Sequence, residues 1–310
     1  MNWFIKSLIF KAFSTVPGGA ALYRHAQWNW TKSIVATPAR VGQKIDVGMS
    51  YLSWLLDHGR SIDEIRSLRH LDLGAGWHPT IPLLFSKIGM RHQVLTDVCP
   101  LMTADTFLDA LKLTDQLVIE TNGHPARPLL ANDALSSPPH GADLETLLAS
   151  FQMEYQAPYF EWAAKPGHDI DLATCTQVLM HITRPILDDC FKLIHNVLKP
   201  GGLFMAPVHL FDIYSNSDPK IGIYNHLRYS RHFWRTIVSS EMMTFNRLKS
   251  PDYRDALIAA GFEILEFVVD HGNAEELRGL RALNIHPEFS SRYSERELSE
   301  KHLFFVARKP

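Results

Sequence analysis

The chain has 310 residues, of which 46% are hydrophobic and 21% charged, enough apolar residues for a full-sized core. Its formal net charge of −2 lacks the basic excess of a strong nucleic-acid binder, so no nucleic-acid partner is expected. Three cysteines, Cys99, Cys175 and Cys190, show no paired metal-ligand spacing, and this predicts reduced thiols, no metal site and a cytoplasmic location.

Residues 1–66 lack strand alternation and predict an N-terminal helical segment. Apolar residues recur at helical spacing between Val47 and Leu55. Residues 1–16 are mostly apolar and are interrupted by two lysines, and the stretch is too short to span a bilayer, so no transmembrane segment is expected. It predicts an amphipathic helix, either packed on the rest of the protein or lying on a membrane surface.

From about residue 69, short apolar strands alternate with helical segments, which is typical of a parallel sheet with crossover helices. One domain is predicted over 67–310, with insertions at 119–141 and 209–250. The predicted strands are 69–73, 93–97, 152–157, 170–175, 202–208, 262–269 and 302–308. The predicted helices are 79–88, 101–117, 143–150, 185–198, 252–260 and 274–283.

The stretch HLDLGAGWHP (70–79) ends the first predicted strand with Gly74 and Gly76. Glycines at this place allow a tight turn and close approach of a ligand to backbone N–H groups. A dinucleotide site would need a third glycine beside the pyrophosphate, but bulky Trp77 and His78 follow here. The turn therefore favours a ligand without phosphates, contacted through the backbone.

Two aspartates strengthen the interpretation of this turn as a ligand site. Asp97 ends the second strand, where a carboxylate can accept hydrogen bonds from both hydroxyls of a ribose. The alternative is a helix cap or a solvated strand end. Asp72 lies in the first strand and would meet a ligand's ammonium group or orient the turn. Its alternative is a purely structural hydrogen bond.

Five segments follow one another in an order that is specific in combination. They are LDLGAG (71–76), VLTD (94–97), DLATCTQVLMHI (171–182), VLKPGG (197–202) and HLFFVARKP (302–310). In this order they resemble the class I S-adenosylmethionine-dependent methyltransferases. The resemblance implies an α/β, Rossmann-like fold whose seven-stranded mixed sheet has an antiparallel last strand and helices on both faces. It also implies S-adenosylmethionine as cofactor. His78 departs from the family, since many members have glycine there.

The resemblance also implies which residues bind the cofactor. Those around the glycine turn would line its methionine and sugar parts, Asp97 would hold the ribose, and those after the fourth strand would face the cofactor or the acceptor. The adenine contact would come from 155–160. The implied residues are Asp72, Gly74, Ala75, Gly76, Asp97, Tyr155, Gln156, Cys175, Thr176 and Gln177.

Histidines follow the fourth and fifth strands, where the acceptor would bind. A histidine suits proton removal because its pKa lies near the working pH. His209 and His181 are therefore the candidate catalytic bases, and a reaction without a histidine base is the alternative.

The insertion at 209–250 is dense in aromatic and basic residues and predicts a pocket for a polar or anionic acceptor. Arginine suits bidentate recognition of carboxylate or phosphate. The predicted acceptor residues are Tyr214, Asn225, His226, Arg228, Tyr229 and Arg247. In the alternative, Arg228 and Arg231 form a solvated helix face while Tyr229 and Trp234 face the core.

Together these features predict a methyltransferase that acts at oxygen or nitrogen of a small or medium-sized polar acceptor, such as a specialised metabolite or a glycan. Residues 1–66 and 209–250 would form the acceptor pocket and its lid. One alternative is a nicotinamide-dependent oxidoreductase, against which the bulky Trp77–His78 pair argues. Another is a catalytically silent partner subunit. The Asn-Pro-Pro-Tyr type of base-methylating motif is absent after the fourth strand, where CTQV stands.

Overall fold

The computed structural model describes residues 1–19, 35–118, 141–240 and 243–310. Seven strands form one sheet in the order β3-β2-β1-β4-β5-β7-β6. The strands are β1 (His70–Leu73), β2 (Gln93–Thr96), β3 (Met153–Gln156), β4 (Ile170–Thr174), β5 (Leu198–His209), β6 (Glu263–His271) and β7 (Glu300–Arg308). Each predicted strand is found, and the fold class is confirmed. Strand β5 begins before the glycine pair, at Leu198, because Leu198 already pairs with Ile170.

The sheet is mixed, as predicted. Strands β1 to β5 pair in parallel, in the pairs β1–β2, β2–β3, β1–β4 and β4–β5. Strand β7 runs antiparallel to β5, since Gly201 N–H donates to the Lys309 carbonyl at 2.8 Å and Leu210 N–H to the Lys301 carbonyl at 2.9 Å. The parallel strands therefore bring their carboxyl ends to one edge, where polar residues after β1, β2 and β4 can meet.

Helices separate the strands much as the sequence predicts. They are α1 (Trp3–Thr15), α2 (Pro38–Asp57), α3 (Ile62–Ser67), α4 (Thr80–Lys87), α5 (Ala104–Val118), α6 (Leu144–Ser150), α7 (Tyr159–Ala163), α8 (Arg184–Val197), α9 (Arg231–Phe233), α10 (Ser250–Ala259), α11 (Ala274–Arg281), α12 (Pro287–Ser290) and α13 (Glu295–Leu298). Among the helices in the described ranges, none combines the length and apolar character needed to cross a bilayer.

The chain forms two compact units. The first consists of Ile34–Thr176, Lys192–Met205 and Arg308–Pro310, and the second of Met1–Ser33, Gln177–Phe191 and Ala206–Ala307. This division does not coincide with a boundary at residue 66, since α1 belongs to the second unit while α2 and α3 belong to the first. The predicted insertion 119–141 lies, up to residue 140, outside the described residues.

Helix α2 is amphipathic and packs against α4 and α5 in the first unit. The Thr37 hydroxyl caps its first turn, and Pro38 takes the first position, where a missing N–H costs nothing. Val41, Ile45 and Leu52 recur on its buried face. This packing fixes the rotation of the helix and hence the direction of its polar residues.

The two adjacent glycines near the start of β5, Gly201 and Gly202, should respond to substitution to different extents. A Cβ on Gly202 would lie 2.9 Å from the Lys199 carbonyl oxygen and 3.0 Å from that of Ile170, both backbone atoms. We expect Gly202→Ala to lower the free energy of unfolding by about 1–3 kcal/mol. Gly201 has φ +79° and open space around it, so Gly201→Asn should cost less than about 1 kcal/mol. Urea unfolding followed by circular dichroism checks both, and equal losses would contradict the prediction.

Candidate functional site

The glycine turn after β1 folds against the end of β2. Gly74 and Gly76 have φ values of +78° and +66°, which glycine adopts without strain. The N–H groups of Gly74 and Ala75 donate to the Thr96 carbonyl at 2.9 and 3.0 Å. A Cβ on Gly76 would meet nothing nearer than 4.0 Å, so the space beside this residue is open. The N–H groups of the turn are thus taken by protein acceptors, Gly76 N–H by Asp97, and what the turn leaves for a ligand is the open space beside Gly76.

Asp97 joins this turn to β2. One of its carboxylate oxygens accepts from Gly76 N–H at 2.9 Å and the other from Val98 N–H at 2.7 Å. Burial raises the pKa of Asp97, while these N–H donors and Lys44 act in the opposite direction. A carboxylate has about four acceptor positions, so Asp97 can accept further hydroxyl groups. Its backbone carbonyl also accepts from Tyr159 N–H at 2.7 Å, which fixes the chain after β3 beside it.

Asp72 is held by a buried chain of hydrogen bonds that crosses the sheet. The Thr174 hydroxyl donates to Asp72 at 3.0 Å, and His70 lies between Thr174 and Gln93, at 2.8 and 2.9 Å. Burial raises the pKa of Asp72 to about 6, and the nearby Lys44 ammonium lowers it. The carboxyl group is therefore fixed in place and sits close to a cation.

Lys44, on α2, is a functional candidate that the sequence analysis missed. Its ammonium donates to the His78 carbonyl at 3.3 Å. Burial lowers the pKa of Lys44, and attraction to Asp72 and Asp97 raises it. The group would pair well with a ligand carboxylate. Its position next to the buried Ile45 on an amphipathic helix was the available signal, but a lysine at the margin of an apolar face usually points to solvent.

The residues after β4 and β3 occupy fixed positions in the first unit. The side chain of Cys175 is a buried thiol. The Thr176 hydroxyl is 3.0 Å from the hydroxyl of Tyr51 on α2, a second residue that the sequence analysis did not assign to a site. The Tyr155 hydroxyl accepts from Leu101 N–H at 3.0 Å and donates to the Cys99 carbonyl at 3.3 Å, so it orders the loop after β2.

The remaining predicted cofactor residues, Gln156 and Gln177, differ in setting. Gln156 is half-buried at the end of β3. Gln177 follows Thr176 in the chain and begins a segment of the second unit. Its φ of +61° is unusual for a residue other than glycine.

The second unit contains both candidate bases. His209 and His302 place their Nδ1 atoms 3.0 Å apart, so one ring donates and the other accepts. Burial lowers the pKa of His209 to about 4, with His302 and His181 adding to the effect. His181 Nδ1 lies 2.6 Å from the Thr244 carbonyl, an acceptor, which leaves Nε2 of a neutral ring with the lone pair.

Most of the predicted acceptor residues make contacts inside the second unit. The Asn225 amide donates to the buried Asp212 at 3.1 Å. His226 is fully buried. Arg247 donates to the carbonyls of His226 and Tyr229 at 3.2 and 2.7 Å. The side chains of Asn225 and Arg247 are thus occupied by the fold of this segment, whereas both ring nitrogens of His226 are buried without a hydrogen-bond partner among the described residues.

The other acceptor candidates pack near α1. The rings of Tyr214 and Tyr229 lie 5.8 and 5.3 Å from that of Trp3, and Trp234 stacks on the same ring at 6.1 Å. Arg228 is exposed, with its guanidinium 5.9 Å from the Tyr229 ring centroid. Arg228 is thus solvated, while Tyr214 and Trp234 are buried and Tyr229 is half-buried. Among the described residues, no three His, Cys, Asp or Glu side chains are grouped to hold a metal ion.

No family model matches the chain, and neither does any curated protein sequence. Among solved structures, it is similar to an S-adenosylmethionine-dependent methyltransferase from Mesorhizobium loti, with 16% identity over 79% of this chain and 92% of that one and a TM-score of 0.40. It is also similar to magnesium protoporphyrin IX methyltransferase from Synechocystis PCC 6803 with bound S-adenosylhomocysteine, with 13% identity over 98% and 100% and a TM-score of 0.45.

A third similar structure is geranyl diphosphate C-methyltransferase from Streptomyces coelicolor A3(2) in complex with Mg²⁺, geranyl diphosphate and S-adenosylhomocysteine. It has 10% identity over 84% of this chain and 78% of that one and a TM-score of 0.44. The TM-scores of these three structures are below 0.5, so the support for a function comes from this chain's own residues.

Proposed function

We propose that this protein transfers a methyl group from S-adenosylmethionine to a small or medium-sized polar acceptor at oxygen or nitrogen. The observation that carries the proposal is the arrangement at the ends of β1 and β2. There the open turn at Gly76, the carboxylate of Asp97 and the opposed charges of Asp72 and Lys44 occur together in one unit. This set matches the ribose, ammonium and carboxylate groups of the donor.

Each residue has a distinct part in binding. Asp97 would accept hydrogen bonds from the ribose hydroxyls. Asp72 would face the ammonium group of the methionyl moiety, and Lys44 its carboxylate. When bound, the donor supplies a methyl group on a positively charged sulfur. Holding an acceptor in line with such a group can contribute roughly 7–11 kcal/mol through proximity.

On the acceptor side, His209 is the proposed base. With its pKa lowered to about 4, the imidazole is neutral at pH 7 and able to accept a proton. Its contact with His302 at 3.0 Å holds the ring, and with His209 as the donor from Nδ1 the Nε2 atom keeps the lone pair that accepts the proton. An acceptor hydroxyl or ammonium group has to lose a proton during transfer, and this is the step that the histidine would assist.

Calorimetry with S-adenosylhomocysteine tests whether the wild-type protein binds the cofactor product. The variant Lys44→Met tests whether Lys44 binds its carboxylate. We expect the variant to bind S-adenosylhomocysteine about 10- to 100-fold more weakly, because a charge-assisted contact contributes about 1.5–3 kcal/mol. Binding of 5′-methylthioadenosine, which lacks the amino-acid moiety, should not change.

Lys112→Met, an exposed lysine on α5, is the matched control and should bind both compounds like the wild type. Wild-type protein that binds NAD but not S-adenosylhomocysteine would overturn the proposed function and favour the oxidoreductase alternative. Equal losses for both compounds in Lys44→Met would overturn only the assignment of Lys44 to the carboxylate.

A further inference from the structure

A cleft of about 720 Å³ lies within the second unit. It is lined by side chains from α1, the start of α8, the segment around α9, residues 239–240 and 244–248, and Arg292. Cavities of 300–1,000 Å³ are typical of small-molecule sites. Six of its lining residues are lysine or arginine, and none is aspartate or glutamate. The cleft is therefore electropositive in its own lining, although the chain as a whole carries a net charge of −2.

Neighbouring carboxylates neutralise only part of this charge. Arg184 pairs with Asp188 at 2.8 Å and with Asp252 at 3.5 Å. Arg292 also pairs with Asp252. The carboxylate of Glu288 accepts from the backbone N–H of Arg231 at 2.6 Å. Glu288 and Asp212 also attract the Arg247 guanidinium. Six cations thus face four nearby carboxylates, and two of these carboxylates, Asp252 and Glu288, each act on two of the arginines.

Arg231 and Arg235 carry the uncompensated charge. Both side chains are exposed and line the cleft. Within the described ranges, neither guanidinium has a hydrogen bond or an ion pair. Lys11 lines the same cleft and donates to the Ser239 carbonyl at 2.9 Å. A guanidinium offers a planar set of donors that matches the oxygens of a phosphate group.

The backbone beneath these residues is unusual. The chain passes from α9 into a π-helical turn at Trp234–Val238, a rare conformation that is frequent at functional sites. Arg247 on the cleft wall has φ +58°. Its guanidinium lies 4.8 Å from the Trp234 ring and 4.9 Å from that of Phe289. Conformations of this kind cost energy and cluster at ligand sites.

We propose that this cleft binds a small molecule that carries a phosphate or diphosphate group. Arg231 and Arg235 contact the phosphate oxygens, and Trp234, Phe245 and Leu248 provide an apolar wall for the rest of the molecule. None of the lining residues belongs to the proposed donor site, so the proposed phosphate site does not depend on methyl transfer.

Isothermal titration of the full chain with inorganic pyrophosphate at low ionic strength tests this site. The double variant Arg231→Gln/Arg235→Gln should bind pyrophosphate at least tenfold more weakly than the wild type, and added salt should weaken wild-type binding. The matched control Arg278→Gln/Arg296→Gln removes two exposed arginines outside the cleft and should bind like the wild type. Thermal melting confirms that both variants are folded.

The proposal would be overturned if the wild-type protein bound neither pyrophosphate nor vesicles of phosphatidylglycerol. It would also be overturned if the two double variants bound with equal affinity. A second arm identifies the source of the phosphate. In this arm the protein is sedimented with vesicles of phosphatidylglycerol or of phosphatidylcholine. If it binds only the phosphatidylglycerol vesicles, if this binding requires Arg231 and Arg235, and if pyrophosphate does not bind, the phosphate site is supported and its ligand is a lipid headgroup. Binding of S-adenosylhomocysteine by the cleft variant should equal that of the wild type, which separates this site from the donor site.

Discussion

Replacing Asp97 with alanine is expected to weaken S-adenosylhomocysteine binding by about 100-fold or more. This carboxylate lies at the end of β2, accepts from Gly76 and Val98 N–H groups, and is proposed to accept the ribose hydroxyls as well. Losing two charge-assisted hydrogen bonds of about 1.5–3 kcal/mol each accounts for that factor. Calorimetry measures it, and Asp109→Ala, an exposed aspartate on α5, provides the control.

A ligand comparison separates ribose recognition from a disturbed turn. We expect wild-type protein to bind 5′-methylthioadenosine more tightly than its 2′,3′-dideoxy analogue, and Asp97→Ala to bind the two about equally, because the partner of the hydroxyls is gone. If the variant still prefers the hydroxylated compound by the full wild-type factor, Asp97 supports the turn at Gly76 but does not bind the ribose.

Replacing His209 with alanine is expected to reduce turnover by about 10²- to 10⁴-fold, the usual contribution of a general base. The assay needs an acceptor, which a screen of cell extracts with methyl-labelled donor supplies. His209→Asn can keep a hydrogen bond to His302 but lacks a basic nitrogen, so it should be as slow as His209→Ala. Binding of S-adenosylhomocysteine should not change in either variant. Unchanged turnover would remove His209 as the base.

The pH dependence of turnover gives a second measurement on this residue. Burial holds the pKa of His209 near 4, so the neutral ring persists through the physiological range. We expect kcat/KM for the acceptor, measured with saturating S-adenosylmethionine so that Asp72 is paired with the donor's ammonium group, to be flat from pH 8 to about 5 and to fall as pH approaches 4. An unfolded chain titrates histidine near 6.5, so this group's contribution to stability is lost as pH falls from about 6.5 to 4. Circular dichroism at each pH separates unfolding from protonation, and a midpoint near 6.5 would contradict the assignment.

The sequence predicted the sheet well because strands and glycine turns leave local signals. Apolar runs give the seven strands, and the turn at Gly74–Gly76 with Asp97 after the next strand marks the open edge. Lys44 and Tyr51 left no such signal. They come from a helix that precedes β1 in the chain, and only its packing against α4 and α5 turns them toward Asp72 and Thr176.

The segment after β5 was harder to interpret, because residue type alone does not identify a partner. Asn225 and Arg247 have side chains that suit a ligand, yet the fold uses them for Asp212 and for backbone carbonyls. Arg231 and Arg235 remain exposed on the cleft, and within the described residues neither guanidinium forms an ion pair. The excess of basic over acidic residues in 209–250 predicts a basic region, but it does not predict which arginines stay exposed.

The strand order also has a consequence for synthesis on the ribosome. Strand β6 is made before β7, yet β7 lies between β5 and β6 in the finished sheet. Until β7 emerges and inserts, the nascent chain therefore exposes the edges of both β5 and β6, and open edges of this kind promote aggregation. Truncations that end between residues 271 and 300 should consequently be recovered in inclusion bodies, since they retain both edges and lack the strand that joins them.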